Sequence, residues 1–310
     1  MQARAGQSCE DRNLLAFEGY GNLTPGDQRI AKLKKWSWQD ITFVASLLVQ
    51  LIVIGVSIGV LVELNARADR GIKQPEVLQT ILTLETVVQC IEFAWYLWIG
   101  IRYYFWCKSF GVEWRYLDWA VSTPIMLITL FFFVHYLANP EACMTNETLV
   151  GQAGFALAIV CIVVFDWAML LFGLSIELKE QNTWALAWNI LGRVRRGNYH
   201  NAAIGLGFVA LVLAFLPHFI WAGDGYSSTG GWVAIFVTLA IWGVYGAVAW
   251  WLYDDDDVQN DPARNNESAR NAWYNVLDIF SKNLAGVIIS IVALQWDGKT
   301  LWCSSDASSL

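Results

Sequence analysis

Charge is what this chain of 310 residues has least of: only 15% of it is Asp, Glu, Lys or Arg, against about 25% in ordinary soluble domains. That scarcity excludes an ordinary soluble domain and, with it, disorder and nucleic-acid binding. The net charge of -7 sits largely in one acidic run at 254–257, so it describes a loop and implies no anionic partner. Cysteine is scattered, at 9, 90, 107, 143, 161 and 303, with no CxxC pair, which leaves neither a zinc nor a redox motif nor a disulfide scaffold. Cys90 and Cys161 fall in apolar stretches and are expected to be small buried hydrophobes. Histidine is rarer still: His135, His200 and His218 lie near the ends of apolar runs without metal-ligand spacing. With no glycine-rich phosphate loop and no metal-ligand spacing, an enzyme is not expected, and neither is a metal. The first forty residues lack an apolar region followed by a cleavage site and are expected to form a polar tail.

What the chain has in abundance is apolar surface. It is 56% hydrophobic with 18 Trp and 16 Phe, and its mean hydropathy is +0.41. Such a composition belongs in a bilayer, where indole and phenyl rings face lipid and Trp also anchors at the headgroups. A span needs roughly 20 apolar residues, and seven stretches qualify: 41–62, 77–101, 114–137, 149–176, 202–221, 232–253 and 272–294. Polar, Gly-rich or Pro-containing connections separate them. The expected fold is an all-α membrane protein, a bundle of seven transmembrane helices over 39–296, with polar tails at 1–38 and 297–310. Between the fourth and fifth spans, residues 179–201 alternate apolar and polar positions before Arg193, Arg195 and Arg196, as an interfacial helix would.

Lys and Arg in the connections set orientation. The side of the N-terminal tail carries twelve of them, Arg102, Lys108 and Arg264 among them, and the other carries Arg67, Arg70, Lys73 and Lys299. The excess predicts a cytoplasmic N-terminus in a multi-pass membrane protein. The sequons at Asn22, Asn146 and Asn266 fall on both sides and do not arbitrate.

An ionisable group at mid-bilayer costs at least about 2.5 kcal/mol, so each one calls for an explanation. Lys282 sits half-way along the last span, and Asp278 precedes it by four residues, on the same helical face. Apolar surroundings favour a neutral amine, which condenses with an aldehyde to a Schiff base. The plainer alternative is a Lys and an Asp that neutralise each other. In the third span Arg115, Asp118 and Ser122 share one stripe. A protonated Schiff base needs a carboxylate, and two carboxylates need a further cation, so Asp118 and Asp278 would balance Arg115 and the iminium.

These residues resemble those of the microbial rhodopsins, light-absorbing proteins that hold retinal on a lysine of the seventh helix. The run Arg115-Tyr116-Leu117-Asp118-Trp119-Ala120-Val121-Ser122-Thr123-Pro124 is similar to the family's R-Y-x-D-W-x-x-T-T-P, and Asp278-Ile279-Phe280-Ser281-Lys282 to its D-x-x-x-K. The resemblance implies all-trans-retinal on Lys282, Asp118 as primary counterion, Asp278 as the second and Arg115 as their bridge. It places Trp119, Trp242 and Tyr245 against the polyene, with Gly246 where a proline is usual. Asp166 would bond Thr123, and Met169 and Gly173 would border the ring, although ordinary packing explains such residues equally well. Retinal, the lipid bilayer, protons or small ions and further copies of the chain are the partners expected; nucleic acid is not.

The stretch Leu171-Phe172-Gly173-Leu174-Ser175-Ile176-Glu177-Leu178-Lys179-Glu180-Gln181 resembles the end of the fourth helix in heliorhodopsins, a branch with a cytoplasmic N-terminus. The loop charges and the proline-free sixth span agree. Asp118, Trp119 and Pro124 do not, so the chain combines features of both branches. Outward proton pumps of the family carry a carboxylate eleven positions after the counterion; here that position is Thr129, which cannot relay a proton near neutral pH. Glu85, Gln89 and Glu92 share one face of the second span, as residues lining a wet path would. They resemble the glutamates of channelrhodopsins, as Ser281-Lys282-Asn283 resembles that group's S-K-N; protonated, purely structural glutamates are the alternative. The expected function is therefore a light-activated photoreceptor in which isomerisation of retinal drives conformational change and proton movement, with a light-gated conductance within reach. The alternatives are a light-driven proton pump and, in a different class, a retinal-free seven-helix transporter or receptor.

Overall fold

The computed structural model describes residues 37–70, 76–105, 111–138, 151, 154–177, 199–223, 229–252 and 266–295. The expected interfacial helix at 179–201, both tails and most of the counted loop charges lie outside the described residues. Within them, seven helical spans are long and apolar enough to cross a membrane. They are α1 (Trp38–Asp69), α2 (Glu76–Tyr104), α3 (Arg115–Ala138), α4 (Phe155–Glu177), α5 (Tyr199–Gly223), α6 (Thr229–Trp251) and a last span in three pieces. Those pieces are α7 (Asn266–Asp278), a π-helical turn Ile279–Asn283 and α8 (Leu284–Gln295).

The helices outrun the apolar windows because polar residues close their ends. Ser37 caps α1: its Oγ accepts from the Asp40 amide at 3.2 Å while the Asp40 carboxylate accepts from the Ser37 amide at 3.0 Å, a capping box that satisfies two otherwise orphaned donors. At the other end α1 continues to Asp69, where Glu63 pairs with Arg67 and Arg70, each at 3.0 Å.

Burial along α1 is inside-out. Its buried positions include Gln39, Thr42, Ser46, Gln50 and Ser57, while Leu48, Leu51, Ile52, Val56 and Val62 are exposed. A soluble helix would hide the second set; in lipid the apolar face is the solvated one and polar side chains seek the bundle interior. Trp38, Phe105, Trp250 and Trp251 are exposed at the helix ends nearest the N-terminal tail, where indoles settle at headgroup level. Cys90 is exposed and Cys161 only partly buried, which corrects the expectation that both are buried: their apolar runs face lipid. His135 and His218, by contrast, are buried inside the bundle, with His218 Nε2 3.0 Å from the Leu127 carbonyl.

The helices pack in chain order around a ring that α7 and α8 close against α1, and α3 also reaches α5 and α6 across the ring. That central place makes α3 the most buried span. Its start is pinned by aromatic contacts: the Trp95 indole donates to the Trp114 carbonyl at 2.8 Å, and Arg102 lies over Trp114 at 4.1 Å. In the last span, Ser281, Lys282 and Asn283 are buried in succession within the π turn. Asn283 Nδ2 donates back to the Asp278 carbonyl at 3.4 Å.

Candidate functional site

Lys282 is enclosed by acidic groups from three elements. Its Nζ donates to Asp118 Oδ2 at 3.0 Å and to Ser122 Oγ at 3.4 Å, which α3 presents one turn apart. Glu92 Oε1 from α2 lies 3.4 Å from the same nitrogen and Asp278 Oδ1 lies 3.8 Å away. All four ionisable side chains are buried. Glu92 corrects the simpler balance expected above: placed by sequence on a path with Glu85, it stands at the lysine as a third carboxyl.

Asp278 is the better satisfied of the carboxyls. Its Oδ2 accepts from Arg115 Nη1 at 3.0 Å and from the Tyr96 hydroxyl. Its Oδ1 accepts from the Tyr245 hydroxyl at 2.7 Å, which leaves Ser281 Oγ to donate in its 2.8 Å bond with Tyr245. Arg115 thus sits against Asp278, and Asn271 and Asn275 of α7 hold its other side. Tyr96, Asn271 and Asn275 are not among the residues expected from the sequence. The available signal was polar residues at 271, 275, 278 and 282, which repeat on one helical face.

Beyond the amine an apolar cavity opens between α3, α4, α5, α6 and the last span, lined by Trp119, Thr123, Met169, Gly173, Trp242, Tyr245 and Lys282 among others. The sequence-derived pocket residues therefore do converge. Trp119 stands edge-on to Tyr245 at 5.5 Å and to Tyr274 at 5.4 Å. Two glycines are needed for close approach: a Cβ on Gly173 would come within 2.7 Å of the Tyr116 hydroxyl, and one on Gly246 within 2.8 Å of the Phe208 ring. The cavity suits a long apolar molecule with a carbonyl end, because it is walled by rings and sulfur and ends at an amine flanked by carboxyls.

On the α4 side Thr123 Oγ1 donates to Asp166 Oδ2 at 2.8 Å and approaches the Trp119 carbonyl at 2.6 Å. Pro124 has no N–H for the Ala120 carbonyl, and the Trp167 indole supplies one at 2.9 Å.

Glu85 is not at the lysine. It accepts from Gln89 Nε2 at 3.3 Å; Gln89 Oε1 accepts from Ser57 Oγ at 3.3 Å, and Ser57 lies 3.5 Å from Ser290 Oγ. A Cβ at Gly286 would collide with the Gln89 amide, so glycine there makes room for this polar row between α1, α2 and α8. Farther along α1, Gln50 and Ser46 are fully buried with side-chain polar atoms that find no partner among the described residues.

The family described as bacteriorhodopsin-like protein matches residues 43–296 of the chain. Among solved structures, the viral rhodopsin OLPVRII is similar with a TM-score of 0.58 at 18% identity, over 83% of this chain and 98% of that one. The thermophilic rhodopsin from Rubrobacter xylanophilus follows with a TM-score of 0.53 at 17% identity, over 84% and 97%. Halorhodopsin, a light-driven chloride pump, has a TM-score of 0.52 at 18% identity, over 84% and 98%. No curated protein matches the sequence.

Proposed function

We propose, since the chain belongs to the family of bacteriorhodopsin-like proteins, that it is a light-activated membrane protein with all-trans-retinal bound to Lys282 as a Schiff base. Proteins of this family bind retinal and are generally pumps, channels or sensors rather than enzymes. The observation that carries the reading is one buried amine, at the end of an apolar cavity, with three carboxyls within 3.8 Å. Retinal supplies light absorption and a change of shape on isomerisation; the chain supplies the charge that tunes it. Asp118, nearest to Lys282 at 3.0 Å, acts as primary counterion, and Asp278, saturated by Arg115, Tyr96 and Tyr245, as the second. With Arg115 and a cationic nitrogen as the two positive charges, three ionised carboxylates would leave a net negative charge in a desolvated site. Electroneutrality is restored when one of the three carboxyls holds a proton. Adding all-trans-retinal to membranes containing the parent and the Lys282→Ala variant tests the assignment. The parent is expected to become coloured and the variant to stay colourless; colour in both would overturn it, and colour in neither would favour a retinal-free transporter or receptor.

A light-gated conductance is the second part of the proposal, supported by the buried polar row of Glu85, Gln89, Ser57 and Ser290 and its continuation toward Glu92 and Gln50. Buried polar atoms without protein partners are stable when water reaches them. A pump of the usual outward type is disfavoured because Thr129 spends its hydroxyl on the Ile125 carbonyl at 2.9 Å. Voltage-clamp recordings on the parent and on Glu92→Gln decide: a passive current that reverses with voltage and is altered by the substitution supports the path. A unidirectional current indifferent to it would favour a pump. The proposed orientation, with the N-terminus in the cytoplasm, is tested by protease accessibility of a tag at residue 1 on intact cells.

A further inference from the structure

Arg115 is held more completely than a bridging cation requires. A guanidinium has five N–H donors, and each has an acceptor. Nε donates to Asn271 Oδ1 at 3.2 Å, Nη1 to the Tyr96 hydroxyl at 2.7 Å and to Asp278 Oδ2 at 3.0 Å, and Nη2 to the Asn271 carbonyl at 3.4 Å and to Asn275 Oδ1. Two of the three side chains of α7 that make these bonds are asparagines. As neutral acceptors they fix the guanidinium without adding negative charge that would compete with Asp278 for it.

The orientation of the Asn275 amide is itself determined. Thr42 Oγ1 passes its proton to the Trp38 or Gln39 carbonyl, so toward Asn275 it can only accept. Asn275 Nδ2 donates to it at 3.0 Å and to the Gln39 carbonyl at 3.5 Å, which turns Oδ1 toward Arg115. The linkage α1–Asn275–Arg115–Asp278 therefore ties the first helix to the charge beside Lys282.

We propose that Asn275, assisted by Asn271, is a positioning residue that holds Arg115 against Asp278 and thereby sets how negative charge around Lys282 is divided between Asp278 and Asp118. The inference rests on the retinal assignment only for its spectral readout. The ionisable groups facing this centre are Tyr96 and Glu92 from α2, Asp118 from α3, Tyr245 from α6, and Asp278 and Lys282 from the last span; α1 contributes Thr42 and a backbone carbonyl, which do not titrate. Without the Asn275 acceptor Nη2 keeps only its long 3.4 Å bond to the Asn271 carbonyl, and the hold of the guanidinium on Asp278 loosens.

The experiment compares the parent, Asn275→Leu and Thr42→Val as full chains purified with and without added retinal. The Arg115 side-chain signals, identified by their loss in Arg115→Lys, are followed by 15N NMR. Slow rotation with separate Nη signals is expected in the parent and averaging in Asn275→Leu. In the coloured samples, the acid-induced colour change is expected at a higher pH in Asn275→Leu, by about one unit or tenfold in proton affinity, with a smaller shift in the same direction for Thr42→Val. Unchanged Arg115 signals and an unchanged titration would overturn the proposal. If Asn275→Leu does not fold, Thr42→Val, which leaves every Arg115 contact in place and removes the shorter of the two anchors of Asn275, decides by the same two readouts. If no sample takes up retinal, the assignment of Lys282 fails while the NMR comparison still decides the clamp.

Discussion

The two polar regions of the bundle interior are built on opposite terms. Around Arg115 and Asp278 the guanidinium finds an acceptor for every N–H and Asp278 accepts from three donors. Between α1, α2 and α8 the bonds are long, 3.3 to 3.5 Å along Glu85, Gln89, Ser57 and Ser290, and Gln50 and Ser46 meet no hydrogen-bond partner among the described residues. In a low-dielectric interior a saturated network is rigid, whereas an unsatisfied one is stable only if water or an ion completes it. The first region is suited to holding charge still and the second to letting it move.

The largest effect that breaks this contrast is expected at Arg115. Arg115→Leu removes five donated bonds and leaves Asp278 without its cation, and losing one partner of a buried ion pair costs about 3–5 kcal/mol. Denaturation of the purified variant, followed by helical circular dichroism, should show a loss of that size. A loss below 1 kcal/mol would mean that the clamp is not rigid.

Asp118→Asn acts on colour rather than on folding. An ionised carboxylate near a protonated Schiff base favours its ground state over the excited state, in which positive charge has moved away. The variant should therefore absorb to the red of the parent, or lose its visible band near neutral pH as the nitrogen deprotonates. An unaltered spectrum would transfer the counterion role to Asp278.

Thr123→Val probes a single bond of intermediate strength. It leaves Asp166 with no donor in a buried site, at a cost of about 1–3 kcal/mol, measured by thermal unfolding; Thr123→Ser should restore most of it. Equal stability of all three proteins would show that water already serves Asp166.

The smallest effect on stability, and the sharpest on the contrast, belongs to Gln50→Leu. Because its amide has no partner among the described residues, replacing it with an apolar group of similar size should be neutral or slightly stabilising, within about 0.5 kcal/mol. The same change should reduce any light-gated current by drying the row. A clear destabilisation would show that Gln50 has a structural partner in the folded protein.

Much of this was legible in one dimension because the bilayer is an unforgiving solvent. Seven apolar stretches, and a lysine and aspartates too costly to be there without a role, locate the spans and the centre of the site from composition and spacing alone. The pocket residues at 119, 123, 169, 173, 242 and 245 were also legible, through a motif, and they do line one cavity. Cys90 and Cys161 are not buried as expected, because an apolar neighbourhood in a membrane chain marks the outside as readily as the inside.

Other features depended on helices meeting. Glu92 and Glu85 are alike in sequence, seven residues apart on one face, yet only Glu92 stands at the lysine, because helices α2 and α3 flank the last span at that height. The π turn at Ile279–Asn283 changes which residues of the last span face inward, and no periodicity announced it. Asn271 and Asn275 matter through partners on α1 and α3, more than 150 positions away in the chain. The sequence by itself determined the solvent, the number of spans and the chemical groups that had to be buried, since transfer energies depend on residue type. Which carboxyl answers which cation, and which polar atoms are left for water, only the tertiary structure decided, because electrostatic and hydrogen-bond energies depend on distances of a few ångströms between segments remote in the chain.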